Sequence, residues 1–168
     1  MGIKEVLVNL NKLKETGIII DYAIGGGYGV MFHGVSLSTY DLDVFVILAT
    51  ENDFHKLYEY YRIQGAIIEG VYIYIEGMPV QFLPNISLLS NRAIEEAIIV
   101  EFEGVTSRFI NIEYLVLLLL TSYREKDKIR LKELIRKGNK NIILSLIGKF
   151  DSDDKLLHKR YQEILART

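Results

Sequence analysis

The chain has 168 residues, 49% of them apolar and 25% charged, with a net charge of -2 and no cysteine. This length and apolar share support one ordinary domain with a sizeable core and exclude a disordered chain. The near-neutral balance excludes a global field for capturing nucleic acid, and the missing thiols exclude disulfides, thiolate catalysis and zinc-thiolate sites.

The opening MGIKEVLVNLNKLKE places Val6, Leu7, Leu10 and Leu13 at helical spacing among charged neighbours. This predicts an amphipathic helix over 2–15, ended at Thr16-Gly17, where a secretory leader would need an uninterrupted apolar segment. The longest apolar run, Leu115 to Leu120, falls far short of the about 20 residues that span a bilayer. The expectation is a cytoplasmic chain with no membrane partner.

Ile18 to Ile24 reads as a β-branched strand, interrupted by Gly25-Gly26-Gly27, from which Tyr28 to His33 runs as a helix. Gly34 to Tyr40 is a polar connection, and Asp41 to Leu48 a second strand. Glu51 to Arg62 has helical spacing, capped by Thr50 or Asn52. The period then becomes that of strands over 66–69, 71–76 and 79–83, with Glu76-Gly77 as a hairpin turn. A helix over 86–97 precedes a second hairpin, 100–103 and 105–110 around Gly104. Four helices complete the chain at 111–123, 126–137, 142–150 and 153–165, the last capped by Asp151 or Ser152. The composite is an α+β fold: a small mixed β-sheet flanked by helices (1–110) with a helical C-terminal segment packed on it (111–168).

Chemistry concentrates in Ile24 to Val46. On a strand, Asp41 and Asp43 point the same way while Leu42 and Val44 face the apolar layer. Two like charges roughly 6 Å apart at an effective dielectric of about 20 repel by on the order of 3 kcal/mol, a cost that a divalent cation would reverse. The glycine turn before them offers backbone N–H groups to phosphate. It is no dinucleotide fingerprint, since the third glycine position of G-x-G-x-x-G falls on Val30 or Phe32, and no Gly-Lys-Ser/Thr follows as in a P-loop.

A Gly-Gly turn, a short helix, a Thr two residues before the first acid, and Asp-x-Asp entering a strand resembles the polymerase β-like nucleotidyltransferase superfamily. GGGYGVMFHGVSLSTYDLDVFV, then MPVQFLP, then YREKDKIRLKELI, is similar to the AbiEii-type toxin nucleotidyltransferases and related minimal nucleotidyltransferases over roughly residues 20 to 137. The resemblance implies a nucleotidyltransferase fold and an Mg²⁺-dependent enzyme moving a nucleoside monophosphate from an NTP to an acceptor hydroxyl, on RNA or protein, with a cognate toxin or antitoxin as partner. It implies that Gly26 and Gly27 wrap the triphosphate, with Thr39 alongside, and that Asp41 and Asp43 hold two Mg²⁺ ions. It also places Arg124, Lys126 and Arg130 at the cleft, Lys126 among the catalytic residues, with Asp127 orienting Lys126 or approaching the metals. Two positions depart from the pattern: Gln81 stands where a third carboxylate is usual, with Glu69 or Glu76 as substitutes, and Leu37 where an arginine is common.

Arg124 to Lys140 holds eight basic residues against three acids, with Leu131, Leu134 and Ile135 on the side expected to be buried. His33 reads as a structural histidine, and the tyrosines at 58, 60, 61, 72 and 74 read as core at helix and strand spacing. The alternative to an enzyme is a nucleotide-binding or partner-binding module of the same fold, motivated by Gln81 and Leu37; a Rossmann oxidoreductase is a distant third.

Overall fold

The computed structural model describes residues 2–167, in which helices and strands follow the anticipated order. Helix α1 (Ile3–Glu15) ends in a Schellman turn: Gly17 takes a positive φ of 75°, and the N–H groups of Gly17 and Ile18 donate to the carbonyls of Lys14 and Leu13. That turn uses Ile18 and Ile19 as cap, so β1 is only Asp21–Ile24, shorter than its β-branched run suggests. Helix α2 (Gly26–Phe32) begins inside the glycine run, and the connection 34–40 leads to β2 (Leu42–Ile47). Helix α3 (Asp53–Ile63) follows, with neither Thr50 nor Asn52 capping it by its side chain.

Next come β3 (Ile68–Glu69), β4 (Tyr72–Ile75) and β5 (Met78–Pro84). Glu76 and Gly77, both at positive φ, make the mirror-image turn that matches the twist of the β4–β5 hairpin. The Ser87 hydroxyl accepts the Ser90 N–H and so starts α4 (Leu88–Glu95). A second such hairpin, β6 (Ile98–Phe102) and β7 (Val105–Phe109), turns at Glu103-Gly104. Four helices close the chain: α5 (Ile112–Ser122), α6 (Glu125–Lys137), α7 (Lys140–Phe150) and α8 (Leu156–Ala166). Asp151 caps α8, its carboxylate accepting the N–H groups of Leu157 and His158 at 2.8 and 3.0 Å.

The seven strands form one mixed sheet in the order β3-β4-β5-β2-β1-β7-β6. β1 is antiparallel to β2 and parallel to β7, while β2 is parallel to β5. Alternation along β2 divides the interior into two cores. Leu42, Val44 and Val46 meet the apolar faces of α1 and α3, including Leu10, Leu13, Leu57 and Tyr61. Phe45 and Ile47 turn the other way and pack against the second core, which joins Ala93 and Ile94 of α4 to Leu115, Leu119 and Leu131 of the C-terminal helices. Asp43 shares that second face at the strand's opening, beyond the helical cover. No helix among the described residues is long and apolar enough to cross a membrane.

Candidate active site

The antiparallel register pairs Ile24 with Val44, so the chain leaves β1 where β2 begins, and the Gly25 N–H donates to the Asp43 carbonyl at 3.0 Å. The glycine turn and the aspartates are thereby neighbours across the sheet. Gly26 sits at φ 50°, a conformation L side chains rarely adopt, and a β-carbon there would overlap the Asp43 carboxylate. One at Gly27 would come within 2.5 Å of the Thr39 hydroxyl. The Thr39 hydroxyl donates to an Asp41 carboxylate oxygen at 3.3 Å, orienting the first acid. Gly26, Gly27, Thr39, Asp41 and Asp43 therefore converge in space.

Burial and the charge of Asp41 push the Asp43 carboxyl up to about 6, while Arg124, Lys126 and Arg130 pull it the other way. Arg124 at the N-cap of α6, with Lys126 and Arg130 within the helix, thus acts on the same carboxylate. Leu131, Leu134 and Ile135 are buried as expected, which turns the cationic side of α6 outward. Asp127 itself does not orient Lys126. It is fully buried and takes a 2.8 Å hydrogen bond from Arg124 Nε and one of 2.9 Å from the Ser122 hydroxyl; Arg130 Nη1 stands 3.8 Å away. The reason is helical: 124, 127 and 130 are three apart and share a face, whereas adjacent residues diverge.

Across β2, β5, β4 and β3 the register aligns Asp43, Gln81, Tyr72 and Glu69 in one row. Gln81 lies directly beside Asp43. Neither substitute acid joins the pair: Glu69 accepts a hydrogen bond from Tyr74 at 3.1 Å, and Glu76 is in the hairpin turn. Among the described residues no group of three acids or histidines is arranged to hold a metal. Asp41 and Asp43, with Gln81 beside Asp43 in register, are oxygen-bearing residues of the kind a hard cation such as Mg²⁺ takes, and the repulsion between the acids is what such a cation would relieve.

Of the five tyrosines expected in the core, 58, 60, 61, 72 and 74, only Tyr61 is buried; Tyr58 and Tyr60 are half-buried against the core, and Tyr72 and Tyr74 lie outside it. The alternation YIYI sends Ile73 and Ile75 inward and leaves both tyrosines half-buried on the aspartate face. Tyr72 turns its hydroxyl to Asp41, whose charge holds the phenol above its ordinary pKa. Tyr74 contacts the Tyr40 hydroxyl at 3.2 Å. No basic residue occurs between Arg62 and Arg92, so this wall is phenolic and acidic where the opposite flank is cationic. His33 is structural, its Nε2 donating to the Ile110 carbonyl at 2.8 Å. A cavity of about 450 Å³ lined by Leu48, Phe54, Pro84 and Asn85 opens at the far ends of β2 and β5, away from the aspartates.

No family model and no curated protein matches the chain. Solved structures do. The antibiotic-resistance factor ANT(2'')-Ia in solution is similar at TM-score 0.54 and 14% identity, covering 96% of this chain and 98% of that one. An antigenic nucleotidyltransferase-like protein from Paracoccidioides brasiliensis is similar at TM-score 0.55 and 16% identity, covering 96% and 84%. The fold is that of the nucleotidyltransferases. A crystal structure of ANT(2'')-Ia in complex with adenylyl-2''-tobramycin shares it at TM-score 0.53 and 12% identity, covering 96% and 99%. At these identities the likeness is one of nucleotidyltransferase architecture, and the residues of the site rest on their own geometry.

Proposed function

We propose that this chain is a metal-dependent nucleotidyltransferase that moves a nucleoside monophosphate from an NTP to an acceptor hydroxyl and releases pyrophosphate. The observation that carries the reading is the position of Asp43, beside a glycine that leaves no room for a side chain and under the charge of Arg124 at the N-cap of α6 and of Lys126 and Arg130 within it. Gly26 and Gly27 bring backbone close to the triphosphate, and Arg124, Lys126 and Arg130 offset its negative charge. Asp41 and Asp43, with Gln81 beside them, would hold Mg²⁺, which would supply charge neutralisation at the reacting phosphate. The acceptor oxygen bonds to the α-phosphorus as the bond to the bridging oxygen breaks, pyrophosphate leaves, and the acceptor proton passes to the carboxylate pair.

The presence of adenylyl-2''-tobramycin, a nucleotidylated hydroxyl compound, in one structural neighbour supports transfer to a hydroxyl. Within this reading the AbiEii-type resemblance of the motif blocks favours an RNA or protein acceptor and a toxin-antitoxin setting. Incubating the protein with each labelled NTP, Mg²⁺ and cell lysate, then separating RNA, protein and small molecules, tests activity and acceptor class together. We expect label in one fraction and none with Asp43→Ala; undiminished transfer by that variant would overturn the assignment.

Gln81 favours one second reading, a nucleotide-binding module without turnover, because a neutral amide beside Asp43 leaves the metal site one charge short. It predicts NTP binding by calorimetry with no pyrophosphate release on any acceptor.

A further inference from the structure

The Arg124, Asp127 and Arg130 cluster raises a question of charge. A flank that gathers phosphate by net positive charge alone gains nothing from an anion beneath it, yet Asp127 lies there with no exposed surface. Stability alone does not explain the choice of an ion pair, since whole buried pairs are commonly replaceable by apolar residues without loss, although removing one partner is costly. The geometry gives a better explanation. Asp127 Oδ2 accepts Arg124 Nε at 2.8 Å and the Ser122 hydroxyl at 2.9 Å, and its Oδ1 lies 3.5 Å from Arg124 Nη2 and 3.8 Å from Arg130 Nη1. One carboxylate therefore grips two guanidiniums. The grip sits on a fixed corner: Tyr123 joins α5 to α6 in the left-handed conformation at φ 49°, and Arg160 of α8 donates to the Leu120 and Thr121 carbonyls at 2.8 Å each. Lys126, by contrast, makes no ion pair among the described residues.

We infer that Asp127 is a positioning residue for polyphosphate binding, holding the Arg124 and Arg130 guanidiniums in a fixed geometry opposite Asp41 and Asp43. It acts through the two arginines and does not itself touch the substrate. The inference rests on the nucleotidyltransferase reading for its ligand, and it extends that reading to a residue buried outside the cleft. A guanidinium locked by a carboxylate presents its remaining N–H groups to phosphate without losing rotamer freedom on binding, the gain that preorganisation provides.

The test separates positioning from charge, because the two predict opposite signs. Inorganic tripolyphosphate is titrated calorimetrically, in chelator and without metal, into the full chain and its variants. Asp127→Asn makes the protein one charge more positive, so an electrostatic account predicts tighter binding. Positioning predicts about tenfold weaker binding by a variant that circular dichroism shows is still folded at the titration temperature. Arg124→Lys, a change at an exposed residue, keeps the charge but cannot make the two-nitrogen grip, and it should weaken binding by a similar factor. In an Arg124→Ala background, Asp127→Asn should cost markedly less than in the wild type, since half of what it positions is gone. Equal or tighter binding by Asp127→Asn would overturn the inference. If that variant does not fold, wild-type affinity in Arg124→Lys overturns it equally, and so does a wild type that binds no tripolyphosphate. Phosphate binding that follows this pattern without NMP transfer in the labelled-NTP assay would sustain the inference and sink the proposed activity.

Discussion

Asp43 carries the most informative tension in the molecule. Folding raises its proton affinity, so the protonated form is the one the folded state favours. Its stabilising contribution is complete below the ordinary carboxylate value of 3.8 and is lost as pH rises through about 6. Asp43→Asn should therefore raise the melting temperature at pH 7.5 and leave it nearly unchanged at pH 4, which thermal melts in metal-free buffer will show. Magnesium should relieve the same tension in the wild type. At a hundred times the dissociation constant, binding adds about 2.7 kcal/mol, and the accompanying rise in melting temperature should vanish in Asp43→Asn. Gly26 is the opposite kind of residue, defined by what it lacks. Gly26→Ala strains a positive φ by about 1–2 kcal/mol and displaces the Asp43 carboxylate, so we expect both a lower melting temperature and loss of labelled transfer.

At the level of elements, the caps decide where helices and strands stop. Asp151 receives two backbone N–H groups of α8 from outside the helix. Asp151→Ala should cost about 1 kcal/mol and lower the melting temperature by roughly 2–4 °C, measured by differential scanning calorimetry. Such devices also explain what the amino-acid pattern conceals. Order and type of the elements were legible because Val6, Leu7, Leu10 and Leu13 repeat at helical period and Leu42, Val44 and Val46 at strand period. The end of α1 was not, because Ile18 and Ile19 look like strand residues while their N–H groups go to the carbonyl of Leu13. The aspartate pair and glycine turn were legible through their local spacing. The grip of Asp127 on two arginines was visible only as an acid with basic residues three positions to either side. Tyr72 and Tyr74 fall outside the core because strand spacing gives one face to Ile73 and Ile75 and the other to the tyrosines, and the pattern alone does not say which face is covered.

For the whole molecule, the sheet supplies position and the C-terminal helices supply charge. The cations that act on Asp43 are Arg124 at the N-cap of α6 and Lys126 and Arg130 within it, and the wall from β3 to β5 carries no basic residue, so the cleft is polarised across Asp41 and Asp43. The row of Asp43, Gln81 and Tyr72 is set by strand register, and so is the meeting of Gly25 with Asp43 through their backbone hydrogen bond. That bond means the two halves of the site are not kept together by the segment that joins them in the chain. Val35 and Leu37 pin the connection to the core, so length can change only beyond them: two extra residues between Leu37 and Ser38 should be tolerated with the site intact. A single residue inserted between Asp41 and Asp43 would turn one aspartate onto the opposite face of the sheet, into the aliphatic layer.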